Sequence, residues 1–473
     1  MKKPLSQFII FIGLYSSLAF GQQIHEVEFI ESVTRQELEA QLDYTVTNGV
    51  SFYKMTYHTT GSDGLPDIAS GLLVMPDNNA PDYPLLVYHH GTSSEKSMVP
   101  SSLNLDYEAY AFFGGNGYLV LAPDYLGMGE SRGFHPYMHR ETQASASVDM
   151  LKAAHEWVAL ENINISGDLF LTGYSQGGHA SMSTHQHLEQ YYSEEYPVTA
   201  AAHMAGPYSL SAVMKQVMLS EDDYDFPGFI PYFILGFQEV YGTVYNELGD
   251  IFRSTYVPHI QSFYDGDTDL TALTVIMILF SQQLHGNLHP VNFLTPSLVE
   301  DMQSDENHPL NLLLAENDSY NWVPQAPTRL FYCQGDNLVP AQNTVLAGSE
   351  MQANGAPNLQ TINLGADLDH LACAEPSMIA ALGFFNGFQP TDANEPDTQM
   401  SFHVYPNPTQ NYLQVEMHNT TGEVPGAMYD VDGRLILQQT LPGKIDMGPL
   451  PPGVYILKIT TGTDTFTEKI VKH

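Results

Sequence analysis

Gly173-Tyr174-Ser175-Gln176-Gly177 is the stretch that decides the fold. It stands between an apolar, strand-like run at 168–172 and a helix-like run at 178–190. A G-x-S-x-G segment in that setting predicts a tight strand-to-helix turn. The serine stands clear of the sheet and the flanking glycines make room for the turn. The first N–H groups of the following helix would then face any negative charge that develops beside the serine. Small turns containing serine are common, so the pentapeptide needs support from elsewhere in the chain.

That support lies downstream. The short apolar run 329–333 ends in Gln334-Gly335-Asp336-Asn337, and the strand-like run 359–364 is followed by Asp367-Leu368-Asp369-His370. Ser175, Asp336 and His370 are therefore the candidate catalytic residues, each expected at a strand end. A serine hydroxyl is a poor nucleophile until a base takes its proton. The imidazole that does so must be held in one tautomer by a carboxylate. Asp367 and Asp369 are rivals for that role, but they lie too close in sequence to His370 to reach round its ring easily. His179, one turn into the helix after the serine, reads as a packing histidine because that helix runs away from the hydroxyl.

Working outward, 52–58 and 68–75 read as a hairpin, 84–88 and 118–122 as buried strands, and 142–160 as a helix with apolar residues at helical spacing. Strands alternating with helices predict an α/β fold, a mostly parallel, doubly wound sheet covered on both faces. Ligands bind outside the carboxyl ends of such strands, where all three candidates fall. An oxyanion hole takes one N–H from the residue after the nucleophile, here Gln176, and one from the loop after an earlier strand. Gly91 and Thr92 both stand at that loop, with Thr92 the favoured donor.

The motifs Tyr88-His89-His90-Gly91-Thr92, Pro123-Asp124-Tyr125-Leu126-Gly127-Met128-Gly129, His135-Pro136-Tyr137, Gly173-Tyr174-Ser175-Gln176-Gly177-Gly178, Asp336-Asn337-Leu338-Val339-Pro340 and His370-Leu371-Ala372-Cys373 resemble those of α/β-hydrolases. More narrowly, 50–388 is similar to secreted lipases and esterases of the secretory-lipase type. The resemblance implies an α/β-hydrolase fold and ester hydrolysis without a cofactor. The segment at 123–129 is shared with some prolyl-oligopeptidase-type peptidases, so a peptidase acting on short peptides is the alternative.

An insertion at about 207–326 is too long for a loop and must carry structure of its own. Its apolar stretches 229–237 and 273–280 read as helices of a cap over the site, or as that cap's own core. Neither is long enough to span a bilayer. The acidic runs Glu221-Asp222-Asp223 and Asp265-Gly266-Asp267-Thr268-Asp269 lack the EF-hand spacing and closing glutamate, so they read as solvated loops, with calcium binding as the alternative.

The ends set the expected location. Residues 1–21 have a basic start, an apolar centre and Ala19-Phe20-Gly21, which reads as a secretory signal peptide, leaving no transmembrane segment in the mature chain. A net charge of −38 argues against nucleic acid or anionic lipid as partner. A polar, proline-containing linker at 389–400 divides the hydrolase region, 22–388, from 401–473, whose short alternating runs predict a small all-β sandwich. Val404-Tyr405-Pro406-Asn407-Pro408, Tyr429-Asp430-Val431-Asp432-Gly433-Arg434 and Leu450-Pro451-Pro452-Gly453-Val454-Tyr455, with Lys469-Ile470-Val471-Lys472, resemble the type A sorting domain of Bacteroidetes type IX secretion. That resemblance implies the secretion machinery as partner. It also implies release from a Gram-negative cell or attachment to its outer surface.

Cys333 and Cys373 are the only cysteines, and in an oxidising compartment an even pair implies a disulfide, with two buried thiols as the alternative. The expectation is thus an exported serine hydrolase of carboxylic esters. A catalytically dead binding protein is the reading from another class, to which an intact triad is opposed.

Overall fold

The computed structural model describes residues 23–78, 80–389, 401–405, 409, 411–418, 424–430, 433–461 and 464–472. The expected signal peptide, nearly all of the linker, and Pro406-Asn407-Pro408 and Val431-Asp432 of the sorting motifs lie outside these residues. The chain divides into two compact units, 1–388 and 389–473.

In the first unit nine strands form one sheet: β1 (Ile24–Val33), β2 (Gly49–Thr60), β3 (Pro66–Asp77), β4 (Tyr83–His89), β5 (Leu119–Pro123), β6 (Ile165–Tyr174), β7 (Ala200–Met204), β8 (Thr328–Tyr332) and β9 (Leu359–Asn363). Their spatial order is β1-β2-β3-β5-β4-β6-β7-β8-β9. The first three strands are antiparallel, and β3 meets β5 antiparallel. From β5 to β9 every pairing is parallel. The predicted hairpin is therefore real but longer at both ends. The sequence reading missed β1, because its residues between Ile24 and Val33 are largely solvated and offer no apolar run.

Helices α1 (Arg35–Leu42), α2 (Tyr107–Gly115), α3 (Arg140–Leu160) and α4 (Gln176–Tyr191) belong to this layer system. In β4, Leu86 and Tyr88 pack with Tyr110 and Phe113 of α2, whereas Leu85 and Val87 pack with Ala153 and Trp157 of α3. Phe170 and Leu171 of β6 split the same way. Side chains alternate along a strand, so a continuous apolar run is what a sheet covered on both faces requires.

The insertion folds as seven α-helices, α5 (Lys215–Met218), α6 (Phe229–Tyr241), α7 (Leu248–Ile251), α8 (Val257–Tyr264), α9 (Leu270–His285), α10 (Pro296–Ser304) and α11 (Pro309–Glu316), with a π-helical turn at Leu210–Met214 and a 3-10 turn at Pro290–Asn292. They share a core of their own that includes Ile234, Phe237, Phe252, Leu273 and Met277. Helices α12 (Gln342–Ala353) and α13 (Ala374–Asn386) complete the unit.

In the second unit β10 (Ser401–Tyr405), β11 (Tyr412–His418) and β14 (Gly443–Asp446) form one sheet. A second sheet contains β12 (Val424–Asp430), β13 (Leu435–Leu441), β15 (Gly453–Thr461) and β16 (Asp464–Lys472). Leu413, Val415 and Ile445 of the first share a buried core with Met428, Leu457 and Ile470 of the second, giving the expected two-sheet sandwich.

Candidate active site

Ser175 sits between β6 and α4 with φ 59° and ψ −121°, a region that side chains rarely occupy. Such strain costs on the order of 1–3 kcal/mol and persists only where the surroundings enforce it. Here they do. A Cβ on Gly177 would lie 1.9 Å from the His89 carbonyl oxygen, and one on Gly173 would lie 2.3 Å from that of Gly177. The Ser175 N–H donates to Met204 O at 3.0 Å, tying the turn to β7.

The loops after β8 and β9 bring the two partners in. Ser175 Oγ lies 2.8 Å from His370 Nε2, and His370 Nδ1 lies 2.7 Å from Asp336 Oδ2. A carboxylate only accepts, so Nδ1 carries the proton and Nε2 is left to accept from the serine. The other Asp336 oxygen accepts the N–H groups of Leu338 at 3.0 Å and Val339 at 2.8 Å, which sets the carboxylate plane. The His370 backbone is braced by the Tyr174 hydroxyl, donating to His370 O at 2.5 Å, and by Asn337 Oδ1, which accepts from its N–H. Asp369 caps its own turn by accepting from Ala372 N, and both Asp367 and Asp369 are exposed. Cys333 is bonded to Cys373, joining the two loops.

The loop expected to supply the second oxyanion donor follows β4. Gly91 N–H donates to Asp106 Oδ2 at 2.8 Å, so it is not free for an incoming oxygen; of the two residues expected there, Gly91 drops out. The Thr92 and Gln176 backbone N–H groups have no partner among the described residues. Gln176 is anchored through its side chain. Its Nε2 donates to His135 Nε2 at 2.8 Å, while His135 Nδ1 donates to Leu126 O at 2.8 Å. Burial pushes His135 down to about 3, so it stays neutral and able to accept. His90 Nδ1 donates to Gly91 O at 2.7 Å. Asp106, His90 and His135 carried no assigned role in the sequence reading: Asp106 meets Gly91 15 residues away, and His135 meets Gln176 41 residues away.

His179 is fully buried and bonds Gln143 and Asn317 O, a packing histidine as expected. The acidic runs are tied into local structure: Asp223 accepts from Leu288 N at 2.7 Å, and Asp269 caps α9 by accepting from Ala272 N at 2.7 Å. Among the described residues, no group of three or more His, Cys, Asp or Glu could hold a metal ion.

Ser175 and His370 open into a cavity of about 390 Å³ whose walls are mostly apolar and include Met214, Met218, Phe229, Ile230, Phe233 and Leu371. Only part of the expected roof is present. Helix α6 lines the cavity, but α9 does not: Leu273 and Met277 fill the cap's core, while Val275 and Leu279 are 49% and 63% exposed. Both stretches are equally apolar, and only packing distinguishes wall from filling.

A mostly parallel sheet with a strained serine turn after β6, and acid and histidine loops after β8 and β9, defines an α/β-hydrolase. The family model described as secretory lipase matches residues 104–386, and the chain belongs to that family. Residues 403–473 match the secretion system C-terminal sorting domain. The esterase LipA from Xanthomonas oryzae, described as rice cell wall degrading, is 26% identical; the match covers 78% of this chain and 98% of that one, with a TM-score of 0.69. A putative hydrolase from Legionella pneumophila is 27% identical over 78% and 99% of the two chains, with a TM-score of 0.70. Candida antarctica lipase A shares the fold at 15% identity, 74% and 78% coverage and a TM-score of 0.56. No curated protein sequence matches the chain. The protein is thus a hydrolase of esters, secreted or held at the cell surface and directed there by a type IX sorting domain. Among the described residues no helix is long and apolar enough to cross a membrane.

Proposed function

We propose that the protein cleaves carboxylic esters through a covalent acyl-enzyme on Ser175. The observation that carries this reading is the unbroken chain from Ser175 Oγ through His370 to Asp336, at 2.8 and 2.7 Å. As Ser175 Oγ bonds to the carbonyl carbon, its proton passes to His370 Nε2, and Asp336 stabilises the imidazolium that forms. The carbonyl oxygen gains the negative charge and accepts from the Gln176 and Thr92 N–H groups. Collapse breaks the bond to the alcohol, which leaves with the proton from His370. Water, deprotonated by the same nitrogen, then attacks the acyl group and Ser175 departs with its proton restored. No step calls for a metal or an organic cofactor.

The apolar cavity supports an acyl chain of several carbons as the preferred group. Each methylene withdrawn from water contributes about 0.8 kcal/mol. What part of that is realised in the transition state raises kcat/KM. The C-terminal sandwich serves as an address read by the type IX machinery and is removed at the outer membrane. A series of p-nitrophenyl esters from acetate to decanoate, measured beside aminoacyl naphthylamides, tests the substrate reading. A rise in kcat/KM beyond acetate supports it; a peak at acetate makes this a short-chain esterase. Amides turning over faster than any ester would make it a peptidase.

A further inference from the structure

The oxyanion loop carries a pair of hydroxyls with one proton more than their mutual bond can use. Thr92 Oγ1 lies 2.8 Å from Tyr137 Oη, and neither oxygen has another protein partner among the described residues. Two hydroxyls hold two protons, and one hydrogen bond takes one of them. Both residues line the cavity that holds Ser175.

The order of the pair follows from acidity. A phenol is a far stronger acid than an alkyl alcohol and so the better donor. Burial pushes the Tyr137 phenol up, so it keeps its proton. Tyr137 therefore donates to Thr92 Oγ, which leaves the threonine proton to point elsewhere. The phenol cannot swing away easily. Its ring stacks on Tyr232 of α6 with centroids 4.2 Å apart and planes 5° apart, and its N–H donates to His135 O at 2.7 Å. A Cβ on Gly236 of the same helix would lie 2.5 Å from Tyr137 N, so α6 presses directly on this backbone. The two peptides that meet at Gly91 are both held: Asp106 accepts the Gly91 N–H, and His90 donates to the Gly91 carbonyl of the peptide that carries the Thr92 N–H.

We propose that the Thr92 side-chain hydroxyl, aligned by Tyr137, is a third donor of the oxyanion hole beside the backbone N–H groups of Thr92 and Gln176. This rests on the reading of Ser175 as nucleophile. As Ser175 adds, the carbonyl π electrons move to oxygen and the new charge accepts three hydrogens; no proton is transferred to it. Tyr137 is a positioning residue, whose bond polarises the threonine hydroxyl. Because Tyr137 is stacked on α6, the seating of the cap governs the strength of the hole.

The test is steady-state kinetics of the full mature chain carrying Thr92→Val, Thr92→Ala, Thr92→Ser or Tyr137→Phe. Loss of one such donor lowers kcat by about 100-fold in comparable sites. Thr92→Val and Thr92→Ala are each expected to show that loss with KM for a short ester kept, and Thr92→Ser to restore most of it. Tyr137→Phe keeps the stacking and is expected to lose less than the Thr92 truncations, through weaker alignment and polarisation alone. Affinity for a boronic acid that forms a tetrahedral adduct on Ser175 should fall in step with kcat/KM across the four. A folded Thr92→Val or Thr92→Ala enzyme with wild-type kcat overturns the third donor, as does boronate affinity that ignores the series. Fluorophosphonate labelling separates the two failures: a wild-type enzyme not labelled at Ser175 refutes the nucleophile, whereas labelled Ser175 with unchanged Thr92 variants refutes only the hydroxyl.

Discussion

Cys373 is bonded to Cys333 across 40 residues, three positions after His370 and three before Asp336 respectively, and both are fully buried. One covalent link therefore clamps the loop that carries Asp336 to the loop that carries His370. The chain-entropy model gives roughly 4 kcal/mol for closing a loop of this length. Reduction, or Cys333→Ser with Cys373→Ser, is expected to lower the melting temperature and kcat together. The comparison is thermal melting beside activity, with intact mass showing the redox state. A reduced enzyme of unchanged kcat would mean that packing alone holds the two loops.

Ser175→Ala, His370→Ala and Asp336→Asn are each expected to lower kcat by several orders of magnitude. The losses should not add in combination, because the three groups act as a unit. A fluorophosphonate is expected to label wild-type protein at Ser175 only. Labelling that survives Ser175→Ala would move the nucleophile elsewhere.

Burial pushes His89, His135 and His179 down to about 4, about 3 and about 4, so all three fold neutral. In the unfolded chain they take up protons near pH 6.5. Between about pH 6.5 and 4 the unfolded state thus binds more protons, and stability falls as the pH drops. The slope is roughly 1.4 kcal/mol per pH unit for each histidine, about 4 for the three. Above pH 6.5 these groups add no dependence. Urea denaturation at pH 7, 6 and 5 measures the slope, and a flat profile over that range would contradict neutral burial.

Ser175, Asp336, His370, the loop after β4 and the cap all precede residue 388, where the first compact unit ends. Removal of residues from 400 onward is therefore expected to leave a folded enzyme with wild-type kcat/KM in vitro. In a host with type IX secretion, the same truncation should hold the enzyme in the periplasm. Cell fractionation with an esterase assay decides it, and normal surface delivery without the tail would deny the sandwich its role as an address.

The parts of this protein legible in its sequence are those whose cause is local. Apolar or strand-like runs marked β4, β5, β6, β8 and β9, and the glycines around Ser175 marked a turn that no larger residue could make. The order of Ser175, Asp336 and His370 and the even cysteine count followed from the same kind of signal. Strand β1 escaped because a solvated edge leaves no apolar pattern. Tertiary structure alone decided the rest. Whether the Gly91 or the Thr92 N–H is left free depends on Asp106, 15 residues further along the chain, folding back to accept from Gly91. Whether an apolar helix walls the cavity, as α6 does, or fills the cap, as α9 does, depends on which face packing turns toward Ser175. A hydrogen bond or a buried face is a property of two segments brought together, and either segment read alone contains only half of it.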